Sequence, residues 1–251
     1  MRRGSSAGWV ISVAVAFVAT LWYLGFFRAG ELLKVQNFVV LLNEMFPPDL
    51  TILPQVISAV VETVLMAFAG TVIGGAFSII FAMFSTRLVF SNPVRAFFRA
   101  FLALIRTIPA ILWALLFVIV VGFGPVAGVL ALSMYTIGYL GKLFYEAFDA
   151  VSSEVIDAVK GVGASKLQIL KYAIIPESAN YIISQLLFIF EYNVRASSIV
   201  GLVGAGGIGF LIITLIQSLK YDGLLTTLII ILTIVLTLDY ISAKIRNKFL
   251  T

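Results

Sequence analysis

The chain has 251 residues, of which 61% are hydrophobic and only 12% charged, with a mean hydropathy of +1.11. Soluble domains carry about a quarter charged residues, so a soluble globular chain is excluded, and the length holds several spans of about 20 apolar residues each. There is no Cys and no His, which removes thiol chemistry, His-containing zinc sites and a Ser-His-Asp triad, while the net charge of +5 is scattered between apolar runs as topology markers rather than gathered as a nucleic-acid footprint.

Apolar segments fall near 9–27, 55–84, 107–123, 126–145, 178–200 and 223–243, with a shorter one near 205–219. Arg2 and Arg3 precede the first, which is longer than a signal-peptide core and reads as an uncleaved span. In the connection 28–54, Phe38 to Leu42 is apolar but closely flanked by Lys34, Asn43 and Glu44, which predicts an amphipathic helix on the outer surface. Phe46-Pro47-Pro48-Asp49 then forces an extended turn.

The second span carries Glu62 about two turns in, which is either a functional intramembrane carboxylate or an interfacial one. Gly70 and Gly74, and further on Gly124 and Gly128, have the GxxxG spacing that lets helices approach closely. Arg106 opens the third span at the cytoplasmic interface, with Pro109 in its first turn. Gly141-Lys142 is followed by Leu143 where a phosphate-binding loop needs Ser or Thr, so the chain does not hydrolyse ATP by itself.

After the fourth span comes the longest polar interruption of the second half, Asp157 to Pro176. Val155, Ile156, Val159 and Val162 repeat at helical spacing, and Ser153 before Glu154 suits a helix start. Gly163 is free to turn the chain, Ser165 and Gln168 form a capping-box pattern for a second helix, and a further helix is expected to begin at Pro176. The stretch resembles the cytoplasmic EAA loop of ABC importer permeases, whose pattern is Glu-Ala-Ala, three residues, Gly, nine residues, Ile, one residue, Leu-Pro. Asp157 stands for the Glu, with Ala158, Gly163 and Pro176 in place, Val159 for the second Ala, Ala173 for the Ile and Ile175 for the Leu. In that family the loop docks into a groove on a separate ATPase subunit. The resemblance assigns ATPase coupling to Asp157, Ala158, Gly163, Ala164, Ser165 and Lys166. An ordinary polar loop between two membrane helices is the alternative.

Placing both termini in the cytoplasm puts this loop inside after four crossings. Arg2, Arg3, Arg87, Arg95, Arg99, Arg106, Lys142, Lys160, Lys166, Lys171, Lys244, Arg246 and Lys248 then lie inside, thirteen of the 17 Lys and Arg, as the positive-inside rule requires.

The fifth span carries Glu191, Asn193, Arg195, Ser197 and Ser198. Glu191 and Arg195 are four apart and can pair on one helix face. In hydrocarbon such a cluster faces protein or a water-filled cavity, so it is a candidate translocation path; a structural ion pair is the alternative. Gly204, Gly206 and Gly209 match GxGxxG, but the flanks are apolar helices and no alternating strand and helix pattern exists, so a dinucleotide site is rejected. Together with Gly207 they read as a bend lining a cavity, followed by a half-helix over 210–219.

Phe46–Asp49, Arg106–Pro109 with Trp113, Gly122–Gly128, Gly138–Leu143 with Glu146, Phe190–Arg195 and Gly201–Gly209 together resemble the phosphonate-type permease subunits of ABC importers, relatives of the methionine-type permeases. The resemblance covers roughly 45–245. It implies an all-α polytopic protein of the inner membrane with six transmembrane helices. Residues 1–54 would form an N-terminal transmembrane helix with an external amphipathic segment, and 55–251 a permease core with a coupling loop at 146–176. It further implies a homodimer surrounded by membrane lipid, two ATPase subunits, an extracytoplasmic substrate-binding protein, and a phosphorus oxyanion as substrate: phosphonate, phosphite, hypophosphite or phosphate. No catalytic residue, cofactor, metal or nucleic-acid partner is expected. Other readings are a permease for another small solute, an ion-coupled carrier using Glu62 or Glu191, and an intramembrane enzyme, for which the catalytic side chains are too few.

Overall fold

The computed structural model describes residues 4–26 and 35–249, and all regular structure among them is helical. Two units divide at Phe46 and Pro47. The first holds α1 (Gly4–Tyr23) and α2 (Val35–Met45). Apolar side chains of α1 are exposed all around it, Trp9, Val13, Phe17 and Trp22 among them, as on a helix that sits in lipid. Arg2, Arg3 and Lys34, used as sequence markers of this region, lie outside the described residues.

The second unit opens with Asp49, whose carboxylate accepts from the Thr51 N–H and hydroxyl at 2.8 and 2.6 Å. Those bonds, the hydroxyl first, hold the Asp49 carboxyl below its ordinary range. They cap a 3-10 turn, Leu50–Ile52, that leads into α3 (Leu53–Ser85). Then come α4 (Asn92–Thr107), α5 (Ala110–Val121) and α6 (Pro125–Asp149). The loop helices α7 (Ser153–Gly161) and α8 (Lys166–Ile169) follow, then α9 (Ile175–Gly201), α10 (Gly207–Gln217) and α11 (Tyr221–Phe249).

The α3–α6 contact is the centre of the unit. A Cβ at Gly70 would strike Leu132, and one at Gly74 would strike Thr136, so both glycines exist for close approach. Toward the 157–176 loop the core is made of large side chains, Leu140, Phe144, Phe148, Leu170, Ile174 and Ile189. At the other end it is made of small ones, Ala114, Ala127, Ala131, Ala196 and Ala205, around Met66.

Among the described residues, four helices are long and apolar enough to cross a membrane: Leu50–Ser85, Pro125–Asp149, Lys166–Gly201 and Tyr221–Asn247. The third crossing differs from the expected single helix over 107–123. α5 has 12 residues, about 18 Å, too short to span alone. It is joined at an 88° bend to α4, and the pair together is apolar enough for one broken span. Arg99 of α4 pairs with Asp149 at the end of α6, Arg106 abuts Gly138 midway along α6, and α5 ends just before Pro125, where α6 begins. Three arginines hide α4 from a hydropathy scan, although its apolar face buries Leu102 and Ile105.

The loop region follows the expected pattern with two corrections. Ser152, not Ser153, is the N-cap of α7, accepting from the Val155 N–H. Gly163 turns the chain at φ +81°, and Ser165 and Gln168 complete the capping box in both directions. α9 starts at Ile175 with Pro176 in its first turn, but it follows the preceding turns without a break. α8 passes through a wide π turn, Leu170–Ile174, directly into α9, with the Ile175 N–H bonded to the Leu170 carbonyl. A proline inside an α-helix lacks a donor and clashes with the carbonyl four residues back; the extra residue in the turn before it resets the register and lets one helix continue.

Candidate functional site

Glu191 and Arg195 do not pair with each other, contrary to their spacing. Glu191 Oε1 lies 3.0 Å from Arg246 Nη1, and Arg195 Nη1 lies 3.0 and 3.2 Å from the two oxygens of Asp239. α11 runs beside α9 and offers an opposite charge at both levels, so cross-helix pairing satisfies four charges where the local pair would satisfy two and strand two. Asp239 was not singled out in the sequence, and Arg246 was read only as a topology marker. Their signal was there: Asp239 is the sole carboxylate after Asp222 in a strongly apolar run.

The polar residues of α9 point different ways. Asn193 is fully enclosed, and its amide donates to Thr71 Oγ1 at 2.9 Å and Thr136 Oγ1 at 3.0 Å, tying α9 to α3 and α6. Ser197 is buried and donates to the Val194 carbonyl. The Ser198 hydroxyl is buried with no hydrogen-bond partner among the described residues. Arg195 alone of the five is exposed on the protomer. Inside one protomer, then, Asn193 and Ser197 act as packing contacts, and the surface of α9 presents the Arg195–Asp239 pair.

The glycine run is a compact bend. Gly204, Gly206 and Gly207 have φ of +93°, +84° and +66°, conformations that glycine adopts without strain. Gly209 instead permits contact, because a Cβ there would run into the Ser198 carbonyl. The bend is pinned from outside. The Gly124 N–H donates to the Gly204 carbonyl at 3.0 Å, the Gly207 N–H to Glu62 Oε1 at 2.9 Å, and the Ile208 N–H to Thr63 Oγ1 at 2.8 Å. Glu62 therefore caps the N-terminus of α10, where a carboxylate meets both unpaired N–H groups and the positive end of the helix. α10, with 11 residues, is the expected half-helix.

On the loop, Asp157, Ala158, Gly163, Ser165 and Lys166 are exposed and Ala164 is half-buried, while Ile156 and Ile169 anchor the two helices in the core. Asp157 pairs with Lys160 at 3.2 Å. Val162 is 84% exposed and Leu167 62%, so the tip presents apolar side chains around a turn with open space beyond it. Behind the tip, Asp149 at the end of α6 collects three donors: the Thr86 hydroxyl at 2.7 Å, the Arg87 N–H at 2.9 Å and Arg99 Nη2 at 2.6 Å. Arg99 also donates to the Ser85 carbonyl and lies 4.4 Å from the centre of the Tyr145 ring. The ends of α3 and α6 and the middle of α4 meet at this one carboxylate, just before α7.

Against known proteins, residues 74–249 match the family model described as binding-protein-dependent transport system inner membrane component. The phosphite transport system permease protein PtxC of Stutzerimonas stutzeri is 33% identical over 255 residues, covering 98% of this chain and 93% of the relative. The putative phosphite transport system permease protein HtxC of the same organism is 35% identical over 243 residues, covering 95% and 85%. Among solved structures, a chain of the inward-facing MetNI methionine ABC transporter superposes with a TM-score of 0.69 at 20% identity, covering 80% of this chain and 99% of that one.

Proposed function

Because the chain belongs to the family of binding-protein-dependent transport system inner membrane components, we propose that it is the permease subunit of an ATP-driven ABC importer for a small phosphorus oxyanion. The observation that carries this is the similarity, over nearly its whole length, to permeases of phosphite transport systems. The substrate class is phosphite, phosphate, hypophosphite or a phosphonate, all small tetrahedral anions. The protein is a multi-pass component of the inner membrane. ATP is hydrolysed on a separate subunit, present in two copies, and a substrate-binding protein delivers the anion from outside.

The exposed turn between α7 and α8 is the docking point for the ATPase, with Asp157, Ala158, Gly163, Ala164, Ser165 and Lys166 at the contact. Both termini then lie in the cytoplasm. Two copies of the permease enclose the path, to which Arg195 on the surface of α9 and the bend at Gly204–Gly209 contribute. Asn193, Ser197 and Ser198 support the path from within. ATP-driven closure of the ATPase pair moves α7 and α8. Since α8 is continuous with α9 through the π turn, and α7 follows α6 closely, the movement reaches the membrane through two rigid helices. The chain itself supplies no reacting group.

Uptake of labelled phosphite, phosphate and methylphosphonate in cells carrying the complete transporter tests this reading, with the binding protein deleted in a control. ATP-dependent accumulation of at least one, lost in the control, is the expected result. Accumulation of none, with an intact assembled complex, overturns it.

A further inference from the structure

The segments on the loop side of the membrane are rich in Lys and Arg, so a groove with carboxylates on that side stands apart from its surroundings. Such a groove, of about 580 Å³, lies where both ends of the loop meet the spans, between the last turn of α6, the link to α7 and the first turns of α9. Glu146, Glu177, Ser178 and Tyr181 supply its polar groups, and Ala147, Ala150 and Val151 an apolar wall. None of these belongs to the turn at the loop tip.

Two of the polar groups lack a partner. Lys142 holds Glu146 at 3.2 Å, but Glu177 is exposed and has no hydrogen-bond or ion-pair partner among the described residues. A glutamate in a first turn ordinarily meets free N–H groups. Here the π turn runs straight into α9, with the Ile175 N–H bonded to the Leu170 carbonyl, and Glu177 caps no helix end. Ser178 is the second. Elsewhere in the spans the hydroxyls of Thr63, Thr71, Ser78 and Ser133 donate to the carbonyl four residues back. Ser178 is only 4% exposed, lines the groove, and its hydroxyl has no partner among the described residues. A buried hydroxyl without a partner is costly, and a donor seated in the groove would satisfy its oxygen.

Carboxylates beside hydroxyl oxygens suit a cation that carries several N–H donors. The alanine and valine wall suits one borne on a hydrocarbon stem, as in arginine and lysine, rather than a bare ion. We infer that the groove receives a basic side chain of the ATPase subunit, a second anchor at the root of the loop in addition to the turn at its tip. The assignment rests on the functional reading above, which brings that subunit to the loop. α7 has nine residues, about 14 Å, so a globular subunit seated on the tip reaches the root as well. Held at both points, the loop cannot pivot about its tip, and the movement of the ATPase passes directly to α6 and α9.

Binding of the purified ATPase to the permease in nanodiscs tests this, measured over a range of salt concentrations. Glu177→Lys should weaken binding at least about tenfold, Glu177→Gln less and Glu177→Asp least, and binding to Glu177→Gln should depend less on salt than binding to the wild type. Exchanging the Lys and Arg residues of the ATPase for Glu, one at a time, should yield one exchange that restores binding to Glu177→Lys and weakens binding to the wild type. The absence of native cysteines gives an independent readout that leaves both carboxylates in place. Ala150→Cys should react with a maleimide at least about tenfold more slowly in the assembled complex than in the permease alone. Equal ATPase binding by wild type, Glu177→Gln and Glu177→Lys overturns the assignment, as does a set of exchanges in which none restores binding. Unchanged labelling in the complex overturns it too. Free arginine or spermidine that slows the labelling as much as the ATPase does would mark a site for small cations and overturn the docking. A wild-type permease that binds no ATPase overturns the functional reading itself, and the assignment with it.

Discussion

Glu191 is the most enclosed carboxylate of the α9–α11 contact, with 6% of its side chain exposed, and Arg246 is its counter-charge. Removing one member of a buried pair leaves the other charged and unsolvated, at a cost of about 3–5 kcal/mol. Arg246→Gln should therefore lower thermal stability and membrane yield strongly, and Glu191→Gln added to it should restore most of the loss. Denaturation in detergent measures both; a double variant no better than the single would mean that the pair contributes nothing. The Arg195–Asp239 pair sits with about two-fifths of each side chain exposed, in the range where ion pairs contribute about 1 kcal/mol or less. Asp239→Asn should cost little in the same assay. The contrast between Arg246→Gln and Asp239→Asn, seven residues apart on α11, separates a buried structural pair from a surface one.

Gly163 and Asp149 belong to the scale of whole elements, because each governs how two helices are joined. No atom lies within 4 Å of a Cβ at Gly163, so the penalty of a substitution there is conformational, not steric. Gly163→Val should cost about 1–2 kcal/mol in the α7–α8 turn, with the spans intact. Co-purification of the ATPase and uptake should both fall, while Gly163→Asn, which tolerates positive φ, should retain more of each. Normal uptake by the valine variant would remove the turn from the mechanism. Asp149 ties α3, α4 and α6 together just before α7 and is placed to pass loop movement to α4. Asp149→Asn weakens its charge-assisted bonds while keeping its shape. Uptake should drop about tenfold, the scale of one such bond, with ATP hydrolysis much less affected. Parallel loss of hydrolysis and uptake would mark Asp149 as a purely structural residue.

For the molecule as a whole, orientation is the open quantity, and single cysteines read it without background. Ser165→Cys should be shielded from an impermeant reagent in intact cells and Asn43→Cys labelled; the reverse would invert the topology and move ATPase docking elsewhere. The all-helical class, the positions of the long apolar helices, the turn at Gly163, the capping box at Ser165 and the half-helix after the glycine run were legible in the sequence. Each depends on local signals: unbroken apolar runs, a residue free of Cβ strain, a hydroxyl three residues before an amide. Non-local choices were not legible. The pairing of Glu191 with Arg246 and of Arg195 with Asp239 depends on which helix lies beside α9, and a helical spacing of four says only what is geometrically possible. α4 was masked because Arg99 counts against hydropathy even when Asp149, 50 residues away, neutralises it. Glu62 looked like a candidate ion site until α10 placed its first N–H groups against the carboxylate. In a membrane protein the local pattern determines which segments are helical and apolar, because backbone polar groups must be satisfied within each segment. The fate of each charge is decided by tertiary packing, because only a neighbouring helix, a partner or water can offset it.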